Sequence, residues 1–392
     1  MADRRQRRAA RGRRRQDRLI LDGYTTTDRY PLSEKKSFQE MTSDAINPRT
    51  AYATLPTDQI NYMRNAVKAV VDAYDGTVTL YEWDADDPIL KAWEAVFPDS
   101  VEKRSDIPED LLAHLRYPED MFKVQRTLLA EYHVTNPSTF YEGNDKWEIP
   151  EDPTIDTPRK QPPYRLSVAT RSGTDPVFSL TSVYVPSKKQ NLASFISVGA
   201  DASDPDTYGK FQILRLPDDT QISGPSQIAN QFNSDDKIAN ALLPFKREGT
   251  RVINGNLLTL PVGSGLLYVQ PVYTLRTGGT GNYPQLRFVL ASFGKSVGVG
   301  SNLSLALQDV IAASTGDDTP PATPEDPETP PEEPGGSGDV LPAEALQLLQ
   351  QADAKFREAD EALKDGDLQG YAAAVEEGRA LVQRALTAGG NG

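Results

Sequence analysis

Residues 316–338, GDDTPPATPEDPETPPEEPGGSG, contain seven prolines and seven acidic residues and no basic side chain. Proline removes backbone donors and like charges repel, so such a stretch is expected to be extended and solvated, and no hydrophobic core can run through it. The chain therefore divides around an acidic Pro-rich linker, 316–338, into a main body, 19–315, and a C-terminal segment, 339–392. In that last segment Leu349, Ala352, Phe356, Ala359 and Leu363 recur at steps of three and four. Leu368, Tyr371, Val375, Gly378 and Val382 do the same after Asp365-Gly366-Asp367. This spacing predicts a helical hairpin with matching apolar seams. Two helices bury little area alone, so the hairpin is expected to pack on the main body or on a partner.

Charge is distributed unevenly at the other end. Residues 1–18 carry nine arginines against Asp3 and Asp17, a net +7, and read as a disordered Arg-rich leader. With a total of −14, everything after them sums to −21. A remainder this acidic repels phosphate, which argues against a nucleic-acid function even with a basic arm in front of it. No run reaches the roughly 20 apolar residues that span a bilayer, and no apolar stretch follows the arginines as it would in a signal peptide. Cysteine is absent, which excludes disulfides and thiolate metal sites.

Within the body, residues 19–24 read as a short strand, followed by a polar loop to about residue 57. β-Branched residues flank Asp75-Gly76 on both sides, a hairpin signal, because both turn residues tolerate positive φ. The competing reading is a helix over 60–74, supported by Ile60, Met63, Val67, Val70 and Tyr74. Helices are expected over 89–97, from Ser105-Asp106 to Leu115, and from Pro118 to about Tyr132, each with proline in its first turn. In the last of these, Phe122, Gln125, Leu128, Leu129 and Tyr132 mark the expected buried face. Strands are expected over 164–170, 178–185, 192–199, 210–216, 257–260, 265–273 and 286–293. A helical insertion over 225–243 interrupts them, and a helix over 301–313 closes the body. Clustered strands with interspersed helices make this an α+β fold with a strand-rich central domain.

Candidate chemistry is sparse. His114 and His133 are the two histidines, and no Gly-x-Ser-x-Gly elbow accompanies them, so both are read as hydrogen-bonded structural residues. Gly263-Ser264-Gly265 lacks the further residues of a dinucleotide or Walker loop and reads as a tight turn. Asp84, Asp86 and Asp87 form one acidic group, with Asp87 before Pro88 as a helix cap. Asp201, Asp204 and Asp206 form another and are the candidate calcium ligands, though without the spacing of an EF-hand loop. Residues alone point to no catalytic set, no cofactor and no small-molecule ligand. A carboxylate-based hydrolase and a soluble nucleic-acid-associated protein using the Arg arm stand as the alternatives.

The block from Leu115 to Trp147 carries more information about kinship than about chemistry. The strings NYMRNAVKAVVDAYDGTVTLY (61–81), LLAHLRYPEDMFKVQR (111–126), YHVTNPSTFYEGNDKW (132–147) and GNLLTLPVGSGLLYVQPVY (255–273), with LILDGY (19–24), resemble Uncharacterised Protein Family 0182 over residues 19–313. That family comprises large multi-span membrane proteins with a soluble part outside the membrane and no established activity. The resemblance implies a soluble, extracytoplasmic, non-enzymatic domain with an interaction or transport-accessory role at the cell envelope. It also implies that the partner is the chain's own missing transmembrane portion or another envelope protein. On this reading the chain is a fragment resembling the family's C-terminal soluble part, with a stand-alone paralogue as the alternative.

Overall fold

The computed structural model describes residues 17–45, 58–143, 145–169, 175–217, 221–245, 249–263, 265–276 and 283–315, together with ten positions between 351 and 384. The leader up to residue 16, the 316–338 linker and most of the C-terminal segment lie outside the described residues. The chain separates into two compact units, Met1–Thr323 and Pro324–Gly392. In the second unit the described positions are helical in both stretches. There Lys355 Nζ lies 2.8 Å from Glu358 on its own stretch and 2.8 Å from Glu377 on the other.

The first unit is a mixed α+β structure whose described strands form four antiparallel sheets. β1 (Arg18–Thr27) pairs with β4 (Tyr62–Asp72), which pairs with β5 (Val78–Glu82) across the Asp75-Gly76 turn. Gly76 has φ +73°, so the hairpin prevails over the helix at 60–74. The expected polar loop after β1 also contains β2 (Lys36–Ser37) and a short helix, α1 (Phe38–Thr42), and β2 pairs with β3 (Gln59–Ile60). Helix α2 (Pro88–Val96) starts at its Asp87 cap as expected. The run toward Leu115 is shorter than expected. It contains a 3₁₀ turn (Arg104–Asp106) and the single-turn α3 (Glu109–Leu112). Pro108 and Pro118 occupy the capping position itself rather than the first turn.

α4 (Glu119–Tyr132) is followed by α5 (Pro137–Glu142) and β6 (Trp147–Glu148). The second sheet runs β10 (Phe211–Arg215), β9 (Ser194–Gly199), β8 (Val177–Pro186), β6, with β7 (Tyr164–Val168) also pairing with β8. The predicted helical insertion is two helices, α6 (Pro225–Ser234) and α7 (Asp236–Leu242), because Asp235 leaves helical geometry and caps the second. The third sheet runs β11 (Thr250–Asn254), β13 (Gly265–Arg276), β14 (Gln285–Phe293), β15 (Ser296–Gly300), with β12 (Leu258–Val262) also on β13. Helix α8 (Leu303–Thr315) follows. β11 and β15 lacked a sequence signal, since one has only Val252 and Ile253 and the other alternates with glycine.

The core is built around β8 and β9, which are covered on both faces. Leu180, Tyr184, Ile196 and Val198 pack with Phe122 and Ala130 of α4 and with Trp147. On the opposite face Val183 and Phe195 join Ile228 and Phe232 of α6, Ile238 of α7 and Val272 and Leu290 of the third sheet. α8 lies on the third sheet through Ala306 and Val310. That approach requires glycine in β15, since a Cβ on Gly298 would lie 2.3 Å from the Ala306 carbonyl oxygen and 2.6 Å from the Val310 nitrogen. Gly298→Val is therefore expected to lower unfolding stability by about 2–3 kcal/mol, as overpacked cores do. Urea denaturation measures this, and an unchanged midpoint would refute the close packing of α8 on β15.

Candidate functional site

The predicted apolar face of α4 is rotated from the observed one. Leu128 and Tyr132 are exposed, whereas Phe122, Lys123, Val124, Arg126 and Ala130 are buried. The helix thus carries two cations inward. Arg126, 1% exposed, places Nη2 2.8 Å from Asp44 Oδ1. Its Nη1 donates to the Gln161 carbonyl (3.1 Å) and Ser182 Oγ (3.3 Å). Tyr184 Oη donates to the Arg126 carbonyl at 2.6 Å. Lys123 Nζ is 2.8 Å from the other Asp44 oxygen. Burial pulls the Arg126 guanidinium below its usual range and Asp44 opposes this, so the carboxylate is what keeps the charge tolerable. Asp44, α4, the 161 loop and β8 are thereby joined at one point.

A second buried cation lies in the three-stranded sheet. Lys68, also 1% exposed, is paired across the β1–β4 ladder with Asp22. It donates to the Arg116 carbonyl and lies 4.9 Å from the centre of the Trp83 ring. Arg104 stacks 4.0 Å from that ring, and Tyr208 meets it edge-on. Burial lowers the Lys68 ammonium from its usual range, and Asp22 counters that. In sequence the one trace of this site is a lysine standing in an inward alternation, Ala66, Lys68, Val70, where a hydrophobic residue is expected.

The sequence candidates are dispersed by comparison. Asp201 accepts from Ser203 Oγ (2.7 Å) and Ser203 N (3.0 Å) and pairs with Arg116 at 3.4 Å. The Ser203 hydroxyl holds its carboxyl below the usual range, against some burial. Asp204 accepts from Asp206 N and Thr207 Oγ1 in a local turn. Asp206 lines a groove of about 360 Å³ with Thr207, Lys210, Ser179, Ser197 and Gln212 at the second sheet. Among the described residues no group of three or more His, Asp or Glu side chains is placed to hold a metal ion. Asp84 takes Arg64 and the Asp86 amide, while Asp87 accepts from the Ile89 and Leu90 amides and from Tyr62 Oη.

His114 Nδ1 donates to the Asp110 carbonyl at 2.7 Å. His133 Nδ1 donates to the Leu129 carbonyl at 2.9 Å and its ring stacks on Trp147 at 3.5 Å. Gly263, with φ +59°, turns β12 into β13, as its sequence suggested. The groove beside Asp206 presents hydroxyls, the Gln212 amide, Lys210 and the Asp175 and Asp206 carboxylates beside Val168, Val177 and Phe211, a mixed polar and apolar lining.

Two outcomes test these charge contacts. Asp44→Ala should cost about 3–5 kcal/mol in urea unfolding by stranding Arg126, and adding Arg126→Met should recover much of that loss. A single-variant cost below about 1 kcal/mol would show that the contact is not a lock. Glu131, held between Lys146 at 2.8 Å and Lys36 at 2.6 Å, has its carboxyl below the usual range because of these two donors. Its ionised form stabilises the fold above the unfolded-state pKa, and that contribution disappears as pH falls through the lowered native value. Glu131→Gln should therefore be less stable than the parent at about pH 7, with the gap closing below about pH 4. A gap that widens in acid would contradict the pairing.

A relative from Nocardioides sp., named a UPF0182 protein, is 53% identical over 373 residues, covering 94% of this chain and 36% of the relative. One from Paenarthrobacter aurescens, with the same name, is 42% identical over 386 residues, covering 94% of this chain and 38% of the relative. One from Streptomyces coelicolor is 41% identical over 368 residues, covering 93% and 36%. The chain thus spans little more than a third of the length of these relatives. No solved structure matches it. The sequence profile described as "Uncharacterised protein family (UPF0182)" matches residues 15–245, from just before β1 to the end of the 3₁₀ turn after α7, and the chain belongs to that family.

Proposed function

We propose that this chain works as a non-enzymatic part of a larger membrane protein, placed on the extracytoplasmic face of the cell membrane in an interaction or transport-accessory role. The observation that carries this reading is the alignment itself. Nearly the whole chain, 94%, corresponds to only 36% of the Nocardioides relative, so its fold is one portion of a longer polypeptide. Anchorage would come from the remainder, since no helix among the described residues is long and apolar enough to cross a membrane. The buried cations fit a binding or supporting part. Lys68 and Arg126 are consumed in joining elements of the fold.

Cell fractionation tests the placement. Antibody against the chain should detect it in the membrane pellet of its native host, and protease added to intact spheroplasts should degrade it. Recovery in the cytosolic fraction, protected from external protease, would refute the envelope assignment.

A further inference from the structure

The three-stranded sheet is finished on one face only. Its inner face, with Ile20, Val70 and Tyr81, packs into a cluster with Trp83, Ile107, Leu111 and Leu115. Side chains alternate along a strand, so the neighbours of those residues point to the other side. The register aligns Leu19 with Val71 and Val78, and Leu21 with Ala69 and Leu80. These six apolar side chains form two complete rows across all three strands, and none belongs to a described hydrophobic cluster. Leu19, Leu21 and Val78 are 60%, 52% and 58% exposed.

The rim of this face is charged and the face is not. In β5, Glu82 follows Val78 and Leu80 on the same side, and Lys103 neutralises it at 3.3 Å. Lys103 also reaches Glu94 of α2 at 3.5 Å. That helix is itself under-covered. Leu90 is its one buried residue, while Trp93 stacks on Phe97 and both remain more than half exposed. An uncharged centre with a paired polar rim is the composition of a protein–protein contact, and a sheet face of this kind rarely stays in water.

We propose that this outer face of β1, β4 and β5 is the surface on which the additional polypeptide of the longer family proteins docks, through an apolar helix or sheet face of its own. This rests on the reading that the chain is part of a larger protein, and it holds wherever that protein resides. Two observations select this occupant. The aligned relatives carry well over half their length outside the matched region. Residues 19–315, with 28 Lys and Arg against 37 Asp and Glu, carry a net charge of −9, which opposes both a second copy of this body and an anionic lipid surface. A tethered segment meets that opposition at high effective concentration, which the other two do not.

The absence of cysteine makes thiol labelling a clean probe. Leu21→Cys and Val78→Cys would be introduced one at a time into this chain, and at the aligned positions of a cysteine-free Nocardioides relative. Tyr141→Cys, at a site 92% exposed in α5 and outside the sheet, serves as the reference. Unfolding midpoints confirm that each variant folds. Maleimide should modify the two face sites at least tenfold more slowly in the relative than in this chain, with the reference site equally fast in both. Equal rates at the face sites in both proteins would overturn the proposal. So would protection in this chain that grows with its concentration, which assigns the face to a second copy. Protection of this chain by phosphatidylglycerol vesicles alone would assign it to lipid and overturn the proposal as well. Slow labelling together with a cytosolic location would retain the interface and refute the envelope reading. Equal labelling with a membrane location would do the reverse.

Discussion

Covering β8 and β9 on both faces is the constraint from which most of this architecture follows. A strand buried on one side can send its alternate residues to water, but β8 and β9 have no such side. Every residue of β9 is buried, and so are seven consecutive residues of β8. One layer must come from α4 and the other from α6, α7 and the third sheet, so elements distant in sequence are drawn to the same two strands. Serines and threonines within those strands then need internal partners, since water does not reach them. Ser182 meets that need by receiving Arg126, and Thr181 by donating to the Tyr164 carbonyl.

Buried charge is the second consequence. Arg126 and Lys68 each sit at a junction where a purely apolar residue would fill space without choosing an orientation. A cation there must find its one carboxylate, Asp44 or Asp22, along with the particular carbonyls around it. Such pairs add little net stability over a hydrophobic replacement, yet losing one partner is costly. They therefore act more on the alignment of α4 with β8, and of β1 with β4, than on overall stability. Asp309 does similar work at the other end of the unit, accepting from the Val299 amide and pairing with Lys237, which joins α8, β15 and α7.

How legible this was depended on whether the pattern was local. The β4–β5 hairpin could be read because Asp75-Gly76 and the flanking β-branched residues lie within a few positions of each other. The Asp87 and Pro88 start of α2 was legible for the same reason. The buried face of α4 was not, because Lys123 and Arg126 look like solvent residues until Asp44, some eighty positions away, is placed beside them. The acidic loop shows the converse relation. Asp201, Asp204 and Asp206 are close in sequence, but each is engaged by its own local donors or turned to a separate groove, so proximity along the chain did not become convergence in space.

By itself the sequence determined the family, the α+β class and the positions of most strands and helix starts, since these depend on runs of neighbouring residues and on short-range turn and cap chemistry. The tertiary structure alone decided which charges are buried, which face of α4 is inward, and that among the described residues one side of the β1–β4–β5 sheet is apolar with Leu19, Leu21 and Val78 more than half exposed. Those outcomes depend on strand register and on carboxylates distant in sequence. A strand's alternation marks two faces but does not say which neighbour covers each of them.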